Sequence, residues 1–162
     1  MKKIFSVIIA IIIIVISIFY LFNHMKKSRY PSMPDIEVTY NQQNIETVSG
    51  LCNWFDKDTG GNSWFPKESD PEKLVENLNS ISVKKEDSVN FVFQTSYKQP
   101  TKTTVYLIVP NKENPYNFSM INQPSNDNYF NVPKEKGEYI FFIDGYWDDT
   151  HNVEYCFRIN VE

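Results

Sequence analysis

Residues 53–66, "NWFDKDTGGNSWFP", hold the densest set of side chains that could do chemistry. Asp56, Asp58 and Asn62 fall at odd spacings with Gly61 sixth, as at the start of a calcium-binding loop. Such a loop also takes an oxygen ligand fifth and a bidentate glutamate twelfth. Gly60 and Lys67 stand there instead. Asp and Gly serve turns for reasons unconnected with metals, because glycine tolerates positive φ and aspartate bonds its own backbone. A turn is therefore expected, with Asp56, Asp58 and Asn62 as the calcium alternative. Trp54–Phe55 and Trp64–Phe65 flank it. On strands, neighbours point to opposite faces, so one member of each pair belongs in the core. Outward members, Trp64 or Phe65, would offer a binding platform, since Trp is over-represented at binding hot spots.

A second set is Asp148, Asp149 and His151. A carboxylate beside an imidazole suits a general base or a pair of zinc ligands. The only other histidine is His24, and there is no G-x-S-x-G, H-E-x-x-H or glycine-rich phosphate loop. A solvated turn is the expectation. Paired carboxylates of the glycosidase kind meet in space, so spacing alone cannot exclude a small hydrolase. A domain of this size leaves little room for the cleft such chemistry needs, and no enzyme, cofactor or metal is expected. Cys52 and Cys156 are the only cysteines. A disulfide between them would close a loop of roughly 100 residues, worth up to about 4–5 kcal/mol in the chain-entropy model. Alternation works against it, turning Cys156 outward while Cys52 shares parity with Trp54, and the pairing stays open.

The elements that must position these groups are strands. From Asp35 onward, short apolar alternations are separated by Asn, Pro, Gly and Lys clusters, the pattern of an all-β sandwich. "IEVTY" and "NIETVSGLCNWF" read as the first two strands, and "SVNFVFQT" puts Val89, Phe91, Phe93 and Thr95 on one face. "TKTTVYLIV", "NFSMI" and "YFNV" follow, and "GEYIFFIDGYW" with "VEYCFRINV" forms a hairpin around "DDTHN". One helix is expected in "ESDPEKLVENLNS", with Asp70 as N-cap, Pro71 first, and Leu74, Val75 and Leu78 as its apolar stripe. In the penultimate strand, Ile140, Phe142 and Tyr146 make an apolar second face where a solvated sheet should be polar. Either the helix lies over it, which is the expectation, or it is exposed as a partner site.

The front of the chain differs in kind. Residues 4–22 carry no charge, and at about 1.5 Å per residue they span roughly 28 Å, close to a bilayer's hydrocarbon core. A cleavable signal would end in small residues. Here the exit is "FYLFNHMKKSRYP", so residues 1–29 are read as an uncleaved single-pass anchor, 30–34 as a linker and 35–162 as the domain. Flanking lysines and arginine are nearly balanced, which leaves orientation open under the positive-inside rule. An extracytoplasmic domain is preferred because the short lysine-led start resembles ordinary export signals. All twenty acidic residues lie at or beyond Asp35, together with eleven of the sixteen basic ones, giving the domain a formal charge of −9. Such a domain repels phosphate backbones, so nucleic acid is not an expected partner.

Several of these segments carry a resemblance. Gly137 before Tyr139 at the start of the penultimate strand resembles the tyrosine corner of immunoglobulin-like domains, with Phe141 where antibody domains place a disulfide cysteine. Cupredoxins share a "G-x-Y-x-F" strand, but Ile143 occupies the position of their copper-binding cysteine. Trp54, Pro71 with Leu74, Pro133, Gly137, Tyr139, Trp147, Tyr155, Phe157, Ile159 and Val161 together are similar to motifs of small exported or membrane-tethered proteins of Gram-positive bacteria, whose function is uncharacterised. The resemblance covers most of the domain and implies an immunoglobulin-like antiparallel sandwich with one short inserted helix. Function is expected to be binding, to a protein or another cell-envelope component, without catalysis. The alternatives are a calcium- or glycan-dependent wall-binding module and, less favoured, a small carboxylate-dependent hydrolase.

Overall fold

The computed structural model describes residues 12–20, 32–56, 60–64, 68, 70–96, 98–110, 118–126 and 128–162. Most of the anchor segment, 4–22, lies outside them. Residues 12–20 form a helix, α1, with exposed apolar side chains. Among the described residues no helix is long and apolar enough to cross a membrane.

The rest is an all-β sandwich of two sheets. The first contains β1 (Asp35–Tyr40), β2 (Gln43–Ile45), β6 (Ser88–Gln94), β9 (Ser125–Asn126) and β10 (Tyr129–Asn131), in the order β2-β1-β6-β10-β9. The second contains β3 (Val48–Asp56), β4 (Gly60–Trp64), β7 (Lys102–Pro110), β8 (Phe118–Gln123), β11 (Gly137–Asp148) and β12 (His151–Val161), in the order β4-β3-β12-β11-β7-β8. β5 (Ile81–Val83) runs parallel to β12, and every other pairing is antiparallel.

Alternation explains the core. In β6, Val89, Phe91 and Phe93 are buried while the residues between them face out. They meet the inward row of β11 and β12, where Phe141 and Phe157 stack at 5.6 Å and Phe130 of β10 lies 4.9 Å from Phe141. Burying a row of such rings is the main stabilising term, since each contributes about 1.5–3 kcal/mol when fully removed from water. Gly137, with φ of 154°, starts β11 in a conformation that L side chains rarely adopt. Two residues on, the Tyr139 hydroxyl donates to the Glu135 carbonyl at 3.0 Å and pins the approach to the strand.

Two elements differ from expectation. "NIETVSGLCNWF" is not one strand: β2 ends at Ile45 in the first sheet and β3 starts at Val48 in the second, so Glu46–Thr47 carries the chain between layers. The helix, α2 (Pro71–Val75), is five residues long. Asp70 caps it, its side chain accepting from the Glu72 N–H at 3.0 Å, and Pro71 sits at the first turn. After Val75 the chain turns, and Leu78 N–H bonds back to Val75 carbonyl at 3.0 Å.

A helix this short cannot stand alone. It holds its place by covering the outer face of the second sheet. There Val75, Ile108, Phe142 and Cys156 form a second buried cluster, joined by Leu74, Leu78 and Ile140. Phe142, a candidate for an exposed partner site, is therefore covered and only 7% exposed. Cys156 is buried on this outer side while Cys52 faces the main core, so the sheet itself separates the two thiols and neither is in a disulfide.

Candidate functional site

One end of the sandwich gathers the chemistry-bearing residues. β1 begins there, β6 passes to β7, β11 turns into β12, and the β3–β4 hairpin reaches the same edge. The registers fix this: Asp35 pairs with Gln94, Tyr146 with Lys102, Asp148 with His151, and His151 with Trp54. The two sequence sets, nearly a hundred residues apart, thus become neighbours through one cross-strand pair.

Asp148 organises the turn. Its Oδ1 accepts from the Thr150 N–H at 3.0 Å and the Thr150 hydroxyl at 3.0 Å, and lies 2.8 Å from His151 Nδ1. An ionised carboxylate only accepts, so Nδ1 carries the proton. Burial alone would raise the Asp148 carboxyl, but the bonds from His151 and Thr150 outweigh it and hold the group down at about 2. The His151 ring is 4% exposed, which corrects the expectation of a wholly solvated turn. It meets Trp54 edge-on, centroids 4.9 Å apart, and Trp54 meets Trp147 at 5.1 Å. Pairing with Trp54 draws the imidazole inward, because His151 has the same strand parity as Val153 and Tyr155.

Hydrogen bonds tie the neighbouring connections to this cluster. Trp147 Nε1 donates to the Lys98 carbonyl at 2.8 Å, and Thr101 N–H donates to the Tyr146 carbonyl at 2.8 Å. Phe55 N–H donates to the Thr150 carbonyl at 2.9 Å. Asp149 remains outside, accepting from the Tyr146 hydroxyl at 2.6 Å, a contact that raises the phenol above its usual range. The Asp148–His151 pair has the geometry of an acid–base dyad. Its imidazole lies inside the sandwich, and its carboxylate binds Thr150 and His151 within the turn.

In "DKDTGGN", Asp56 ends β3 and Gly60 begins β4, the two paired with each other, and residues 57–59 lie outside the described residues. Asp58 and Phe65 lie outside the described residues. For Asp56, Asn62 and Trp64 the strand pairing alone is described, Asn62 opposite Trp54 and Trp64 opposite Cys52. Among the described residues no group of three or more His, Cys, Asp or Glu could hold a metal. Phe55 is 41% exposed beside buried Trp54, as alternation requires. Ile140 is half-buried at the edge of the α2 cluster, and Tyr146 is half-buried near the turn.

One pair escaped the sequence reading. Asp144 and Glu154 stand directly opposite each other on β11 and β12. Burial raises the Asp144 carboxyl, and the Lys102 charge partly offsets it. Burial also raises Glu154, the backbone N–H of Leu51 works against this, and the Asp144 charge adds to it. Like charges facing each other across strands destabilise a sheet. Only the hairpin register reveals the pair, since ten residues separate the two in sequence. Compared with known proteins, the chain matches no family model and no curated sequence.

Proposed function

We propose that this chain is a membrane-tethered, extracytoplasmic binding module on an immunoglobulin-like scaffold, acting without catalysis. The scaffold reading is supported by strand order. β1-β6-β10-β9 facing β8-β7-β11-β12 follows the strand order of an immunoglobulin-type sandwich, with β5 beside β12, while β2 and the β3–β4 pair are additions to that order. The Tyr139 bond to Glu135 supports it as a tyrosine corner. An apolar segment at 4–22 and a strongly acidic domain support the tether and argue for a partner other than nucleic acid or an anionic lipid surface. The similarity to small tethered or exported Gram-positive proteins fits the same reading.

The observation that carries the binding reading is the convergence at one end. The β6–β7 connection and the end of β3 are each tied to the β11–β12 turn by backbone and indole hydrogen bonds, giving a rim on which loops can vary without cost to the core. The Asp148–His151 pair on that rim closes a turn and so supplies rigidity. The test is topological. In a Lys136→Cys variant, the introduced thiol lies on an exposed residue while the two native thiols are buried. A membrane-impermeant maleimide is expected to label intact, wall-stripped cells. Labelling confined to lysed cells would place the domain inside and end this reading.

A further inference from the structure

Beside the rim, the first sheet is incomplete. β10 pairs with β6 from Ser88 to Asn90 alone, and the Phe91 N–H makes one further bond, to the Asn128 carbonyl at 2.9 Å. On its other side β6 stays paired to β1 as far as Gln94. Past Asn128, half of one β6 edge has no strand against it among the described residues. An open pocket of about 580 Å³ occupies the place, lined by residues that include Val92, Phe93, Gln99, Thr103 and Asn128.

In an antiparallel strand successive residues direct their backbone groups to alternate sides. Phe91 bonds towards the β10 side, so Phe93 directs its N–H and C=O the same way, into the pocket. The Phe93 carbonyl accepts from Gln99 Nε2 at 3.0 Å, a side-chain amide standing where the ladder would have continued. No described strand lies opposite the Phe93 N–H. The Phe93 side chain is 3% exposed, its ring seated over Gly145, where an added Cβ would come within 2.6 Å of it, so this edge is held rigidly.

We propose that this notch binds an extended peptide segment of a partner protein, which adds to β6 as a short strand and completes the first sheet. The proposal deepens the binding reading above and rests on it for the nature of the partner. Main-chain groups of the segment would pair with Phe93, as in strand addition to an exposed sheet edge. Alternate side chains would then point two ways. Those facing out lie beside Val92, which is 43% exposed, and are expected to be apolar. Those facing in enter the pocket among Thr103, Gln99 and Asn128, and are expected to be small or polar. The Gln99 amide is a stand-in that the segment displaces from the Phe93 carbonyl.

The test uses the full chain in lipid nanodiscs and a displayed library of random dodecapeptides, with enriched sequences remade as synthetic peptides. Enriched peptides are expected to alternate apolar and small or polar residues, and to slow amide hydrogen exchange at residues 91–94. Gln99→Ala removes the competing amide and is expected to tighten binding about three- to tenfold, the worth of one recovered hydrogen bond. Thr103→Phe fills the notch and is expected to weaken binding at least about tenfold, with an unchanged melting temperature confirming the fold. Should that variant unfold, Gln99→Ala, altered on an exposed side chain, decides the matter alone. Peptides that protect amides elsewhere would leave a binding module standing and overturn this site. Gln99→Ala that weakens binding or leaves it unchanged, or a library yielding no peptide, would overturn it as well. Peptide binding here with maleimide labelling confined to lysed cells would instead keep the notch and remove the extracytoplasmic assignment.

Discussion

Replacing Phe142 by alanine tests whether α2 is a structural lid. The ring is 7% exposed, lies among Val75, Ile108 and Cys156, and meets Phe118 edge-on at 6.4 Å. Removing a ring this buried forfeits about 1.5–3 kcal/mol of transfer free energy, and the cavity left behind brings Phe→Ala changes to about 3–5 kcal/mol. The lower figure fits better here, because a five-residue helix at the surface can settle partly into the hole. A loss of about 3 kcal/mol is expected, a large share of the 5–15 kcal/mol typical of a domain. Urea unfolding of the full chain, followed by tryptophan fluorescence, measures it. Val75→Ala, alone and combined with Phe142→Ala, completes a double-mutant cycle in which residues in contact couple by about 0.5 kcal/mol or more. A Phe142→Ala protein within about 1 kcal/mol of the parent, or strict additivity with Val75→Ala, would refute the lid and return Phe142 to the exposed surface.

Two further outcomes follow from the turn and the thiols. The Asp148 carboxyl is held down at about 2 in the folded protein against an ordinary 3.8, so its contribution is fully present above the ordinary value and is lost as pH falls towards about 2. The melting-temperature gap between parent and Asp148→Asn should therefore be largest near neutral pH and close between about pH 4 and pH 2, and a gap independent of pH would contradict the ionised contact with His151. Cys52 and Cys156 are 2% and 0% exposed, and burial, reinforced by the Glu154 charge, pushes the Cys156 thiol well above its usual range. A soluble disulfide reagent is expected to find no reactive thiol in the folded protein and two after denaturation without reductant; none after denaturation would reveal a bridge.

How much of this was legible in the sequence depended on distance along the chain. β6, β11 and β12 could be read because one buried face leaves a period of two, and the same period required one of Trp54 and Phe55 to be inside, which is Trp54. The Asp70 cap and Pro71 marked the start of α2 correctly, since capping is local chemistry. Its end could not be read, because Leu78 packs from a turn as well as it would from a helix. β5 and β9 were missed for a related reason. Three and two residues long, they owe their conformation to the strands beside them and carry no period of their own. The site was harder still. His151 looked like a surface residue in a polar turn until its register against Trp54 was known, and Asp144 with Glu154 became a pair only across the closed hairpin.

Where β1 begins decides which end of the sandwich the proposed tether would enter. Pro34, immediately before it, accepts a hydrogen bond from the Tyr155 hydroxyl, and Met33 Sδ lies 3.1 Å from Cys52 Sγ, so the domain is already gripped at residue 33. With an anchor at residues 4–22, ten residues remain between bilayer and domain, and at 3.3–3.6 Å each they reach about 35 Å at most. That leash attaches at the same end as the Asp148–His151 turn, the β3–β4 hairpin and the β6–β7 connection. Lys136 and Glu162 lie at the opposite end of the sandwich. On the proposed tether, the reach of that leash would let the rim meet segments that emerge from the same membrane. The notch beside β6 opens at that rim, so on the proposed tether an extended juxtamembrane segment of a neighbouring membrane protein would lie within its reach.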